Sequence, residues 1–212
     1  MKFRRLKALY HQIFIQMRRL RLKNHNFSII SNNCCGGIIY HDLGEQFCSP
    51  TINLAIDVED FMVFLENYNE CLEREIKEVD SEESYPVGCI TLYDGRSIII
   101  NFMHYTSFAE ATKKWNERKE RIDKNNLFVF FEMGINTSDE LVERFERLQF
   151  DNKIAITNKS YPYGDTCFID IYNDYQWGKL IKYMPRTLHT KQYLNQFDYI
   201  RWLNEGRKAL CQ

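Results

Sequence analysis

No stretch of this chain stays apolar for more than a few residues, so no membrane-spanning helix is expected. Prolines number only four and glycines nine among 212 residues, which excludes collagen-like and low-complexity character. A secretory signal is not expected either, because the basic start runs into Tyr10, His11 and Gln12 rather than a continuous apolar segment. No CxxC pair occurs among the seven scattered cysteines (Cys34, Cys35, Cys48, Cys71, Cys89, Cys167 and Cys211), which reads as a reduced, cytoplasmic protein without a cysteine metal site. No H-E-x-x-H or D-x-D cluster is present, and Asp165, Asp170 and Asp174 are too spread to suggest a metal.

Acidic residues are absent from the first 41 positions. Lys2, Arg4, Arg5, Lys7, Arg18, Arg19, Arg21 and Lys23 give that stretch a charge of +8. The remainder holds 20 bases and 29 acids, a net of −9. The overall charge of −1 is therefore the sum of two unlike parts. An acidic body repels phosphate chains, so nucleic acid is not an expected partner.

What is present is ordinary globular material: 44% hydrophobic, 15% aromatic, and long enough to bury a real core. Residues 1–23 form a leader in which Phe3, Leu6, Tyr10, Ile13, Met17 and Leu20 recur at helical spacing, widened by Leu9 and Phe14. Such an amphipathic helix can pack on its own domain, lie on an anionic membrane surface, or dock on a partner such as a glycosyltransferase.

Residues 24–212 read as a single α/β domain. Phe27 to Ser31 is β-prone and ends in Asn32-Asn33-Cys34-Cys35-Gly36-Gly37, after which Ile38-Ile39-Tyr40 can open a helix. Asp57 can cap a second helix. Asp94-Gly95 between two β-rich runs predicts a hairpin. Thr106 or Ser107 caps a helix through Ile122; Leu127 to Phe131, Lys153 to Thr157 and Cys167 to Tyr172 read as strands, Ser138 to Leu148 and Tyr193 to Leu203 as helices. This alternation predicts a three-layer α/β/α, Rossmann-like domain with a mixed sheet.

Ligand sites in open α/β sheets lie beyond the carboxyl ends of strands, which singles out the Asn32–Gly37 turn. There a helix N-terminus would favour a thiolate at Cys34, while Asn32, Asn33, Gly36 and Gly37 could line an oxyanion or phosphate position. The plain alternative is a buried small cysteine and a turn. A cysteine nucleophile needs a base, and His104, just past a predicted strand, is better placed than His11, His25, His41 or His189. Trp115, Arg118 and Arg121 share a helical face that could clamp an anionic donor, or simply form an exposed face of ion pairs.

These residues also carry a resemblance. Phe27 to Cys34, Gly36 to Tyr40, Leu43-Gly44, Ser49 to Ile52, Asp60-Phe61 and Phe64-Leu65 are similar to a bacterial family of exopolysaccharide or capsule biosynthesis proteins defined by a domain of unknown function. Tyr85 to Gly88, His104-Tyr105, Ser107-Phe108, Glu110-Ala111, Lys114 to Asn116, Arg118, Arg121-Ile122, Phe197 to Tyr199 and Trp202-Leu203 continue the match, which spans Leu22 to Leu203. The family pattern has an aromatic, often Trp, after the motif cysteine; Cys35 stands there in this chain, which would alter or widen a substrate platform. The resemblance implies a three-layer α/β fold and a role in surface-polysaccharide assembly.

Together these readings predict an enzyme that transfers a group, such as an acyl group, to or from a sugar precursor. Cys34 would be the nucleophile and His104 the base, with coenzyme A or a nucleotide sugar as donor held by Trp115, Arg118 and Arg121. The alternatives are a non-catalytic adaptor of the same pathway and a free-standing esterase or amidase.

Overall fold

The computed structural model describes residues 2–172, 178–182 and 192–207, with side chains described from residue 12 onward. Asp174, His189 and Cys211 lie outside the described residues.

Four parallel strands form the centre: β1 (Ser28–Ser31), β5 (Leu127–Gly134), β6 (Asn152–Thr157) and β7 (Thr166–Phe168), in the order β1-β5-β6-β7. Their alternation sorts side chains onto two faces. Ile30, Val129, Phe131 and Ala155 enter one core with α3 (Val58–Glu66), α4 (Tyr68–Glu73), α5 (Phe108–Lys119) and α6 (Asp139–Glu146). Ile29, Phe128, Phe130, Ile154 and Ile156 enter the opposite core with α2 (Cys35–Leu43) and α7 (Tyr199–Glu205). Burial on both faces explains why β5 and β6 are rich in continuous apolar residues, whereas the edge strand β7 is only half-buried and exposes Phe168.

The hairpin forms as expected: β3 (Val87–Thr91) and β4 (Ser97–Asn101) pair antiparallel, and Gly95 turns with φ +87°. These strands do not join the parallel sheet. They make a second sheet with β2 (Lys77–Val79), in the order β2-β3-β4. One segment links the two sheets. Ala55 exchanges both backbone hydrogen bonds with Asn101 at the end of β4, and the Ile56 N–H donates to the Asn32 carbonyl just past β1. The carboxyl ends of β1 and β4 are thereby drawn together.

Side-chain caps set three helix starts, whereas Asp57 stands at the N-cap of α3 without a side-chain cap hydrogen bond. Ser107 Oγ accepts from the Glu110 N–H, Ser138 Oγ from the Leu141 N–H, and the Asp198 side chain from the Arg201 N–H, each a standard N-cap. The predicted closing helix is split into a 3-10 turn (Tyr193–Gln196) and α7, with Asp198 restarting it.

Helix α1 (Lys2–Arg21) packs on this body through Phe14, Ile15, Arg18, Arg19 and Leu22. Arg18 is buried, donates to the Tyr199 hydroxyl and the Asn195 side chain, and lies 3.5 Å from Asp42. Arg19 Nε donates to the Asp42 carbonyl at 2.9 Å. The face that docks is thus partly the basic one, whereas Ile13, Met17 and Leu20 of the predicted apolar stripe point outward.

Candidate functional site

Cys34 directly precedes α2 as its N-cap residue, one turn of chain beyond β1. His104 follows β4 by way of Phe102 and Met103. Because residues 55–56 bind both strand ends, Cys34 Sγ comes to 3.2 Å from His104 Nε2, across 70 residues of sequence. Cys34 is half-buried and His104 exposed, so the pair is open to solvent on one side.

Behind the cysteine lies a buried carboxylate that belongs to no sequence motif. Glu132 sits near the carboxyl end of β5, 6% exposed, within the apolar run Leu127-Phe128-Val129-Phe130-Phe131-Glu132-Met133. The β5–β6 register shifts between Glu132 and Gly134, a bulge that re-aims side chains at this end of the sheet. Asn33 Nδ2 and Cys35 Sγ donate to Glu132 Oε2, and the Tyr172 hydroxyl donates to Oε1 at 3.0 Å. Gly134, with φ +54°, makes room for Tyr172: a Cβ there would meet the ring at 2.9 Å. Burial raises the Glu132 carboxyl above its ordinary value, opposed by the hydrogen bonds it accepts. A carboxylate in a strand otherwise made of apolar residues was the available signal, since such a residue persists in a core only when partnered.

This carboxylate reassigns the turn's polar residues. Asn32 is fully buried: its Nδ2 donates to the Glu132 carbonyl at 3.1 Å and its Oδ1 accepts from the Glu132 N–H at 3.0 Å. Asn33 Oδ1 accepts from the Cys35 N–H at 2.9 Å. Both amides hold β1 to β5 and shape the turn, leaving neither aimed at an oxyanion. Gly36 and Gly37 lie in the first turn of α2 with ordinary φ, and serve close packing. A Cβ on Gly36 would fall 2.5 Å from Ser31 Oγ, and one on Gly37 would meet Ile52 at 3.3 Å. Cys35 points inward and is fully buried against Glu132, so the position that bears an aromatic in the resemblance pattern faces the core here.

The thiol is not pre-ionised. Burial, followed by the nearby Glu132 charge, pushes the Cys34 thiol above its ordinary value. Both act against the thiolate, in the direction opposite to the expected effect of a helix N-terminus. Ionisation of Cys34 therefore requires a proton acceptor, and His104 Nε2 is in reach.

Trp115, Arg118 and Arg121 do not converge on an open face. Trp115 is 2% exposed in the core, edge-on to Phe64. Arg118 is buried too; its Nη1 donates to the Ile52 carbonyl at 3.1 Å and to the Tyr105 hydroxyl at 2.6 Å. Arg121, beyond the end of α5, is exposed and contacts the Phe47 carbonyl at 3.4 Å. Both arginines hold the 47–52 loop, and Arg118 also ties it through Tyr105 to the segment carrying His104. Among the described residues, no group of three or more His, Cys, Asp or Glu side chains is arranged to hold a metal.

Fold and site define a three-layer α/β protein with a cysteine–histidine pair at the carboxyl ends of strands from both of its sheets. The chain belongs to the family described as domain of unknown function DUF1919, whose model matches residues 5–204 and so takes in most of the basic leader. It is also similar to an uncharacterised protein of Haemophilus influenzae, 33% identical over 188 residues that cover 88% of each chain. Neither description mentions surface glycans.

Proposed function

We propose that this protein is a cytoplasmic acyl-transfer enzyme acting on a sugar precursor in exopolysaccharide or capsule synthesis. The single observation that carries the chemistry is the 3.2 Å approach of Cys34 Sγ to His104 Nε2. A thiol held above its ordinary value beside a histidine is a nucleophile whose proton must leave as it attacks. In the first half-reaction, Cys34 sulfur bonds to the carbonyl carbon of an acyl thioester donor of the coenzyme A class. The Cys34 proton passes to His104, and the donor's carbon–sulfur bond breaks, its thiolate leaving with that proton. In the second, a sugar hydroxyl attacks the Cys34 thioester, His104 accepts the hydroxyl proton and returns it to the departing cysteine sulfur. The sugar and pathway assignment is supported by the family resemblance of the motifs around Cys34 and His104.

The test is complementation of a deletion strain with Cys34→Ser and His104→Ala. Loss of surface glycan, or of its acyl groups, is expected from both. Wild-type glycan from both variants overturns the reading.

A further inference from the structure

Helix α1 has two apolar faces, of which the domain uses one. Phe14, Ile15 and Leu22 turn toward the body along with Arg18. On the opposite side Ile13, Met17 and Leu20 are 51%, 59% and 85% exposed. They follow one another at four and three residues and form a single stripe. In sequence the same register continues through Tyr10, Leu6 and Phe3, giving a line about 26 Å long at the helical rise. Apolar side chains this exposed, in one row on one helix, mark a surface that something covers.

Charge selects the occupant. The stripe is carried by a helix without a single acid, and Lys2, Arg4, Arg5 and Lys7 crowd its first two turns. Arg18 and Arg19 are drawn into contacts with Asp42, and Arg21 pairs with Asp198 at 2.6 Å, but the basic first turns have no acid in their own helix. A second copy of this helix laid along the stripe would bring like charges together. An anionic lipid surface would take the apolar row into its acyl boundary and its phosphates would meet the lysines and arginines. Among the described residues no helix is long and apolar enough to cross a membrane, so the contact would be in the plane of the surface.

We propose that α1 is an anionic-membrane docking surface, with Ile13, Met17 and Leu20 entering the lipid and the basic residues of its first two turns holding the headgroups. The domain, bound to the other face of the helix by Arg18, would then stand directly on the surface.

Flotation of the full chain with vesicles tests this. Binding is expected to vesicles of phosphatidylcholine with phosphatidylglycerol, weakening steeply with added salt, and much less to phosphatidylcholine alone. The double variant Met17→Glu/Leu20→Glu should bind at least about tenfold more weakly. Each of Lys2→Glu and Arg5→Glu should weaken it about fivefold or more. Because Met17 and Leu20 are exposed, the double variant should melt with wild type, and its circular dichroism checks that folding is kept. If wild type ignores anionic vesicles, the proposal is overturned. If light scattering then finds a dimer that the double variant abolishes, the stripe is an interface between copies instead.

Discussion

The Asn33 amide donates to the carboxylate of Glu132, joining the turn after β1 to the end of β5 directly behind the candidate nucleophile. Asn33, Cys35 and Tyr172 converge on that one carboxylate from two distant parts of the chain. Alongside, the Asn32 side-chain amide pairs with the backbone N–H and carbonyl of Glu132. The position of Cys34 is therefore set by a buried polar network as well as by the helix that follows it.

Removing the carboxylate should be costly. Glu132→Ala leaves three buried donors unanswered and opens a cavity, and is expected to destabilise the protein by about 3 kcal/mol in chemical denaturation. Glu132→Gln should cost only about 1 kcal/mol, because the amide oxygen can still accept from Asn33 and the Tyr172 hydroxyl can turn to accept.

Glu132 also predicts a pH signature. Its carboxyl is held above the value it has in the unfolded chain, so the folded form binds the proton more tightly. Its contribution to stability is then fully present below the ordinary carboxylate range and is lost as pH rises through the folded value. As pH rises from the ordinary carboxylate range through the raised folded-state value, Tm of wild type should fall relative to that of Glu132→Gln. Parallel curves would show that Glu132 ionises in the folded protein as it does in the unfolded one.

The same carboxylate acts on the thiol. Alkylation of Cys34 by iodoacetamide, read peptide by peptide, should rise at a higher pH than for an ordinary thiol of about 8.5. Glu132→Gln should move that profile to lower pH by removing the charge. A wild-type midpoint at or below the ordinary value contradicts this ordering of effects.

Gly36 should be sensitive for a steric reason. Gly36→Ala forces α2 off β1 at Ser31 and should cost about 2 kcal/mol. Ser31→Ala removes the hydroxyl the new methyl would strike, so the double variant should be less unstable than the two single costs predict. Strict additivity would mean that the contact does not set the cost.

Arg18 and Arg21 lie one helical turn apart on α1 yet should behave differently. Arg18→Ala takes the guanidinium away from the buried Asp42, which keeps the Tyr199 hydroxyl at 3.5 Å, and removes stacking on Phe14 and Tyr199, and should cost about 3 kcal/mol. Arg21→Ala breaks a pair whose two side chains are about half exposed, and should change stability by no more than about 0.5 kcal/mol.

Much of the fold is legible in the sequence because local signals and tertiary needs agree. Asp94-Gly95, the capping residues Ser107 and Ser138, and the apolar run from Leu127 each point to the element that forms. The nearness of Cys34 and His104 could be guessed from both lying past strand ends, but the pairing of residues 55–56 with both sheets has no local signature. In sequence, Asn33, Arg118 and Trp115 resemble ligand contacts, because polarity, aromaticity and helical spacing look alike in a site and in a core. Only burial separates the cases: Arg118 answers the Ile52 carbonyl and Asn33 answers Glu132. The leader's stripe was correctly periodic, but periodicity does not say which face a domain will take, and Arg18 found its partner Asp42 on the body.

The most direct test of the central claim is intact mass spectrometry of the full chain mixed with short acyl-coenzyme A donors and quenched in acid. Wild type should gain the mass of one acyl group, mapping to Cys34 and removable by hydroxylamine. His104→Ala should form that adduct at least about a hundredfold more slowly. An unmodified wild-type protein across the donor series, or an adduct on another cysteine that forms equally fast in Cys34→Ser, would contradict a Cys34 acyl-enzyme.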